Sequence, residues 1–243
     1  MSRTLVIGDI HGSYKALNQI LERAAVTIHD KLIFLGDYVD GWCQSPEVIN
    51  MLMELKSTHT CIFMRGNHDD LLMSWLQTGE HNELWFNHGG RITTECYGKL
   101  SNDVIEKQVK FLEELQNYHL DDQNRLFIHA GFTSLNGIAH EHFKRMFFWD
   151  RTLWETALAL DPALEPSHPR YPKRFTYYKE IFIGHTPVTR IGKTVPVNKA
   201  NIWNIDTGAA FKGPLTILDA DTKEFWQSDP VYLLHPDETG RNG

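Results

Sequence analysis

The chain has 243 residues, 42% of them apolar, and a formal net charge of −7. That length suits one large α/β domain over 1–243, and the apolar share supplies a sizeable core. The acidic balance gives duplex nucleic acid or an anionic membrane no basic footprint to bind, and no run of about 18 apolar residues offers a bilayer span. The three cysteines (Cys43, Cys61, Cys96) are widely spaced without a CxxC pair, which suits a reducing cytoplasm and argues against a disulfide framework or zinc knuckle.

In chain order, the first segment is strand-like, Thr4–Ile7, entered without a charged leader or cleavage site. Ser13 predicts an N-cap, and Leu17, Ile20, Leu21 and Ala24 then fall on one helical face. The apolar run Leu32–Leu35 precedes a helix near Pro46–Leu55, with Pro46 in the first turn, where a missing N–H is tolerated. A third run, Cys61–Met64, precedes a helix over Asp69–Leu76. Strand, tight loop and helix in threefold succession predict parallel strands with crossover helices. Asn82–Tyr118 reads as helical. Strands are expected at Arg125–Ile128, Ile181–Ile183, Ile202–Ile205, Leu215–Leu218 and Glu224–Gln227. Few helices separate them, so a second, more antiparallel sheet is expected. Pro162, Pro166, Pro169 and Pro172 mark Asp161–Arg174 as an exposed excursion.

Five polar clusters follow strand-like segments: Gly8-Asp9-Ile10-His11-Gly12, Gly36-Asp37-Tyr38-Val39-Asp40, Gly66-Asn67-His68-Asp69, His129-Ala130-Gly131 and Gly184-His185-Thr186. Ligands in open α/β sheets gather outside the carboxyl ends of the strands, so these loops should converge on one edge. Carboxylates and imidazoles packed together repel or desolvate one another unless a cation neutralises them. Asp9, His11, Asp37, Asn67, His129 and His185 make a nitrogen and oxygen ligand set for two divalent ions, Mn²⁺ first, with Fe, Zn²⁺ or Mg²⁺ also suited. No cysteine takes part, which argues against structural zinc. Asp37 would bridge, having two oxygens to offer. Two ions about 3.5–4 Å apart can activate a bridging hydroxide and clamp an in-line displacement at phosphorus.

Together these motifs resemble the calcineurin-like metallophosphoesterases, and within them the serine/threonine protein phosphatases and diadenosine tetraphosphate hydrolases. That family writes GDxHG, GDxVDRG, GNHE, a histidine in an HAG-type turn, and GHT; the likeness runs from Arg3 to about Leu218. The stretch Ile181–Leu218 looks much like the bacterial and bacteriophage-lambda-type protein phosphatases. The resemblance implies an α/β metallophosphoesterase-type sandwich of two mixed sheets flanked by helices. It further implies that Asp9 and His11 hold one metal, Asp37 bridges, and Asn67, His129 and His185 hold the other. His68 would assist the leaving group, oriented by Asp40, since a carboxylate on one ring nitrogen fixes the tautomer and raises basicity at the other.

Two positions depart from the family pattern. Asp69 stands where glutamate is usual, a change conservative in charge. Where the family has Asp-Arg-Gly, this chain has Asp40-Gly41-Trp42, and the lost arginine normally holds a phosphate oxygen. A compensating cation is expected, because non-bridging oxygens need donors in the transition state. Arg151, which follows Trp149 and Asp150, matches a later phosphate-binding arginine of the family, and Arg91 is a second candidate beside Asn67. Trp42 reads first as a packed loop residue and second as a platform for a base. Arg65 reads as a strand-end cation, Trp149 and Trp154 as core, and Cys43 has no partner pattern for nucleophilic catalysis.

The expected activity is hydrolysis of phosphomonoesters, with phosphoserine or phosphothreonine in a protein as first substrate. A dinucleoside polyphosphate is the alternative, prompted by the missing arginine. From another class, a metal- or phosphate-binding sensor without turnover would have no reason to keep both His68 and Asp40.

Overall fold

Strands that are apolar on both faces must be covered on both, which dictates a layered architecture. The computed structural model describes residues 2–242. Its strands are β1 (Thr4–Ile7), β2 (Lys31–Phe34), β3 (Thr60–Phe63), β4 (Tyr118–Leu120), β5 (Arg125–Ile128), β6 (Glu180–Ile183), β7 (Val197–Lys199), β8 (Ile202–Asn204), β9 (Thr216–Asp219) and β10 (Phe225–Gln227). They form two five-stranded mixed sheets, ordered β10-β9-β1-β2-β3 and β4-β5-β6-β8-β7. The helices are α1 (Tyr14–Arg23), α2 (Ser45–Thr58), α3 (Asn67–Thr78), α4 (Glu83–Trp85), α5 (Arg91–Tyr97), α6 (Asn102–Glu113), α7 (Met146–Trp149), α8 (Thr152–Ala159) and α9 (Val231–Leu234).

Side-chain alternation along the strands assigns the layers. On β1, Leu5 and Ile7 pack with the α1 and α2 residues Leu17, Ile20 and Ile49. Val6 turns the other way, into a layer shared with Ile33, Phe127, Phe182 and Leu218. On β6, Ile181 and Ile183 face Leu153 and Trp154 of α8, while Phe182 enters the shared layer and stacks on Phe127 with centroids 4.9 Å apart. The layers therefore run helix, sheet, sheet, helix.

The first sheet begins as expected: β1, β2 and β3 are parallel. Ser13 caps α1 by accepting from the Ala16 N–H at 3.3 Å, and Pro46 occupies the first turn of α2. Two expectations are corrected. The strands expected at Leu215–Leu218 and Glu224–Gln227 do not join the second sheet: β9 pairs antiparallel with β1, and β10 with β9. They cover the edge that β1 would otherwise leave with unpaired N–H and C=O groups. The second sheet is also less antiparallel than expected. Its centre, β5-β6-β8, is parallel, and only β4 and β7 run antiparallel at its edges. Each sheet thus contains a parallel run of three strands, β1-β2-β3 in one and β5-β6-β8 in the other, and both offer carboxyl strand ends to one rim. Among the described residues, no helix is long and apolar enough to cross a membrane.

Because Phe182 is fully buried between the sheets, Phe182→Ala is expected to lower unfolding stability by about 3–5 kcal/mol. A urea titration checks this; a loss below about 1 kcal/mol would contradict the assigned layer.

Candidate metal centre

Each cluster named from the sequence sits where a strand ends. Asp9 and His11 follow β1, Asp37 and Asp40 follow β2, Asn67 and His68 open α3 after β3, His129 follows β5 and His185 follows β6. His11, Asp37, Asp40 and His185 all have left-handed backbones, with φ of 53, 53, 73 and 66°. Such conformations cost non-glycine residues about 1 kcal/mol or more each and persist where surrounding structure over-determines them. Close approach is also built in: a Cβ on Gly184 would collide with Asp9 Oδ1.

The structure brings all six metal candidates together in a buried cluster. Asp37 Oδ2 lies 3.6 Å from His11 Nε2 and 3.4 Å from His129 Nε2. His129 Nε2 is 3.3 Å from Asn67 Oδ1, and His185 Nδ1 is 2.9 Å from the same oxygen. Asp9 Oδ2 accepts from the His185 N–H at 3.0 Å. Two tautomers follow from partners that can only accept. His11 Nδ1 donates to Val39 O at 3.2 Å and His129 Nδ1 to Leu35 O at 2.9 Å. A neutral ring at either position therefore aims its Nε2 lone pair at an oxygen lone pair of Asp37. Something positive must lie between them, either a proton or a cation. Asp9 Oδ1 and His185 Nε2 are moreover buried without any hydrogen-bond partner. The side chains thus fit divalent ions: His11 and Asp37 fall in one compact ligand group, and Asp37, His129 and His185 in another.

The electrostatics show what the cluster does with protons alone. Burial pushes the Asp9 carboxyl well above the usual range, with the Asp206 charge adding to it. Burial would also raise Asp37, but the charges of His129, His68 and His11 outweigh it and hold Asp37 well below. His129 is lifted to about 10: burial opposes the charged form, and the Asp37 carboxylate beside it prevails. His11 and His185 are pushed well down, burial leading in both.

Beside this cluster, His68 Nδ1 donates to Asp40 Oδ2 at 2.6 Å, which leaves Nε2 for the neighbouring cavity. That cavity, of 270 Å³, is lined by Asn67, His68, Trp149, Arg145, Arg151 and Arg241 among others. Arg151 is half-buried there; burial and then the charges of Arg190 and Arg241 lower its pKa. Its neighbour Asp150 is already engaged, capping α8 through the Thr152 and Leu153 N–H groups at 3.0 Å each. Arg91 is placed elsewhere: exposed, 6.0 Å over the Phe86 ring, and in an adjoining groove with Gly41 and Gly89. Trp42 is fully buried, donating to Ala209 O at 2.7 Å and stacked on His235, so no face is left for a base. Arg65 pairs with Asp70 at 3.4 Å, as a scaffold cation does.

Several contributors were not singled out from the sequence. Asp206, after β8, is buried beside the cluster and raised to about 6 by burial first; its only signal was one more carboxylate, at a sixth strand end. Asp69, set aside as conservative, accepts from the N–H groups of Gly66, Asp37 and Tyr38 at 2.8, 2.9 and 2.8 Å. It fastens the second and third motif loops to each other. Trp85 Nε1 donates to Asp40 Oδ2 at 2.5 Å, and Trp149, read as core, is a cavity wall 6.5 Å from the His185 ring. Neither tryptophan carried a signal beyond apolarity.

Residues 2–236 match the family described as calcineurin-like phosphoesterase. The chain is 27% identical over 235 residues to a bis(5'-nucleosyl)-tetraphosphatase PrpE (asymmetrical) of Oceanobacillus iheyensis, covering 90% of this chain and 89% of that one. It is 29% identical to the protein of the same name in Geobacillus thermodenitrificans, with 88% of each covered. Among solved structures, a putative diadenosine tetraphosphatase superposes with a TM-score of 0.63 at 17% identity, over 93% of this chain and 92% of that one. A serine/threonine phosphatase of Saccharomyces cerevisiae superposes with a TM-score of 0.64 at 16% identity, over 100% and 84%.

A cation entering the cluster must displace the proton that His129 holds up to about 10 and the one that burial favours on Asp9. Adding Mn²⁺ to metal-free protein at about pH 8 is therefore expected to release protons, and affinity should rise with pH. Calorimetry in buffers of different ionisation enthalpy reads this; buffer-independent heats would contradict the assignment.

Proposed function

The chain belongs to the calcineurin-like phosphoesterase family, and from that premise we propose that it hydrolyses the phosphoanhydride chain of a dinucleoside polyphosphate. The observation that carries this choice is the convergence of Arg145, Arg151 and Arg241 on the cavity that His68 and Asn67 open into. A phosphomonoester brings one phosphate, for which one or two donors suffice. A polyphosphate brings several neighbouring negative charges, and guanidinium groups match them with paired hydrogen bonds. Trp149 and Leu71 add an apolar wall to the same cavity, suited to an aromatic base. The tetraphosphatase names of the two relatives agree with this reading. The first expectation, a phosphoserine or phosphothreonine protein phosphatase, is the less supported one. Its structural counterpart shares 16% identity, which speaks for the fold and not for the substrate.

In this reading Asp9, His11 and Asp37 would hold one divalent ion, and Asp37 with Asn67, His129 and His185 would hold a second. When bound, such a pair supplies Lewis-acid polarisation of phosphoryl oxygens and activation of a water for attack. The chain's own groups do the rest. Arg151 and its neighbours fix the polyphosphate, and Asn67, at the head of α3, sits beside the reacting phosphate. Asp40 holds the His68 ring by its Nδ1–H and stabilises the imidazolium, in which Nε2–H can donate to the leaving oxygen and pass it the proton, leaving the neutral ring. Trp85 donates to the same Asp40 oxygen and keeps the carboxylate from turning away.

Two outcomes are expected. With metal restored, kcat/KM on a dinucleoside tetraphosphate should exceed that on a phosphoserine peptide by at least about tenfold; the reverse order would return the protein phosphatase reading to first place. His68→Asn should lower kcat by roughly 10²–10⁴, whereas an unaltered kcat would remove His68 from the mechanism.

A further inference from the structure

The segment after α9 packs back onto the loop that carries the second motif. His235 is buried, stacks on Trp42 with centroids 5.0 Å apart, and meets Ser13 Oγ through Nε2 at 3.0 Å. Glu238 accepts from the Cys43 N–H at 2.9 Å and from His235 Nδ1 at 2.8 Å. Gly240 has φ +61°, and a Cβ there would stand 2.7 Å from the Trp42 ring, so only glycine lets the chain pass. The Arg241 N–H then donates to Ala210 O at 3.0 Å. This clamp sets Arg241 opposite Gly41: its Cγ lies 3.4 Å from where a Cβ on Gly41 would stand. The Arg241 stem thus passes in van der Waals contact with the point at which a side chain at position 41 would start. It lines the cavity with His68, Asn67 and Arg151. Its Nε is buried without a hydrogen-bond partner, and its guanidinium lies 5.3 Å over the Phe211 ring. A buried charged donor without a partner is costly unless an anion completes it.

We propose that Arg241 is a phosphate-holding residue of this site, delivered from the C-terminal segment into the space left open at Gly41, with Trp42 as the anchor that holds the segment in place. The sequence Asp40-Gly41-Trp42 is then no impaired motif. Gly41 makes the room, Trp42 fastens the strap, and the cation comes from 200 residues further along the chain, at position 241. The inference rests on the phosphoesterase reading above and adds to it a specific donor.

The test is inorganic phosphate binding to the Mn²⁺-loaded full chain by calorimetry, comparing wild type with Arg241→Met, which keeps the stem on Phe211 and removes the charge. The dissociation constant should rise by at least about tenfold, and kcat/KM on p-nitrophenyl phosphate should fall by about 10²-fold. Added guanidinium ion should restore part of the lost turnover, which a merely structural role would not permit. Arg241→Lys, keeping charge without the planar fork, should bind phosphate with intermediate strength and covers the case in which the methionine variant does not fold. Wild-type phosphate affinity in folded Arg241→Met, or in Arg241→Lys with no rescue, overturns the proposal. Because phosphate affinity is read directly, it decides about Arg241 even if wild type prefers a substrate other than a dinucleotide.

Discussion

Asp37 carries the constraint on which the rest of the site depends. It is buried, its backbone is left-handed at φ 53°, and its two carboxylate oxygens face opposite obligations. One accepts from the His68 N–H at 2.9 Å; the other faces imidazoles that come from different sheets, His11 after β1 and His129 after β5. A carboxylate in that position is tolerable only if positive charge is shared around it. That requirement fixes the relative placement of the two sheets: their parallel runs must bring the carboxyl ends of β1, β2, β3, β5 and β6 to one rim. Asp69 completes the constraint by receiving the Asp37 and Gly66 N–H groups on one oxygen, so the loops after β2 and β3 cannot shift independently.

Charge is segregated around that rim. The chain is acidic overall, at −7, and buried carboxylates gather at the rim, with Asp9, Asp37 and Asp206 within one cluster. The adjoining cavity has the opposite character, with Arg145 and Arg151 from either side of α7 and Arg241 from the C-terminal segment. Low-dielectric walls strengthen both fields. The arginine charge would draw an anionic substrate towards the cavity beside the cluster, and His68 stands at the boundary, tied by Asp40 on one side and open to the cavity on the other.

Much of this was legible before the structure. Glycine-flanked Asp, His and Asn after apolar runs announce themselves because the chemistry demands those residue types at strand ends, and the helical spacing of Leu17 and Ile20 fixes α1 independently of any tertiary contact. What was not legible depends on long-range packing. β9 and β10 read as ordinary strands, and nothing in their composition says which sheet edge they cover. Trp149 reads as core and Trp85 only as part of a helical stretch, because indole surroundings are chosen only when the fold closes. Gly41 reads as a gap in the phosphate site and Trp42 as a packed loop residue, but the segment that packs against them lies far away in sequence. Asp69 and Asp206 had the right residue type, but burial alone distinguishes a loop-fastening carboxylate from a turn residue.

The measurement that tests the central claim most directly is the metal content of purified protein and of Asp37→Asn after equilibration with Mn²⁺, followed by a thermal melt. If Asp37 joins both halves of the cluster, wild type should hold about two ions per chain and melt higher with metal, while the variant should lose both the ions and the metal-dependent shift. Two ions retained by Asp37→Asn, with the shift intact, would contradict the account.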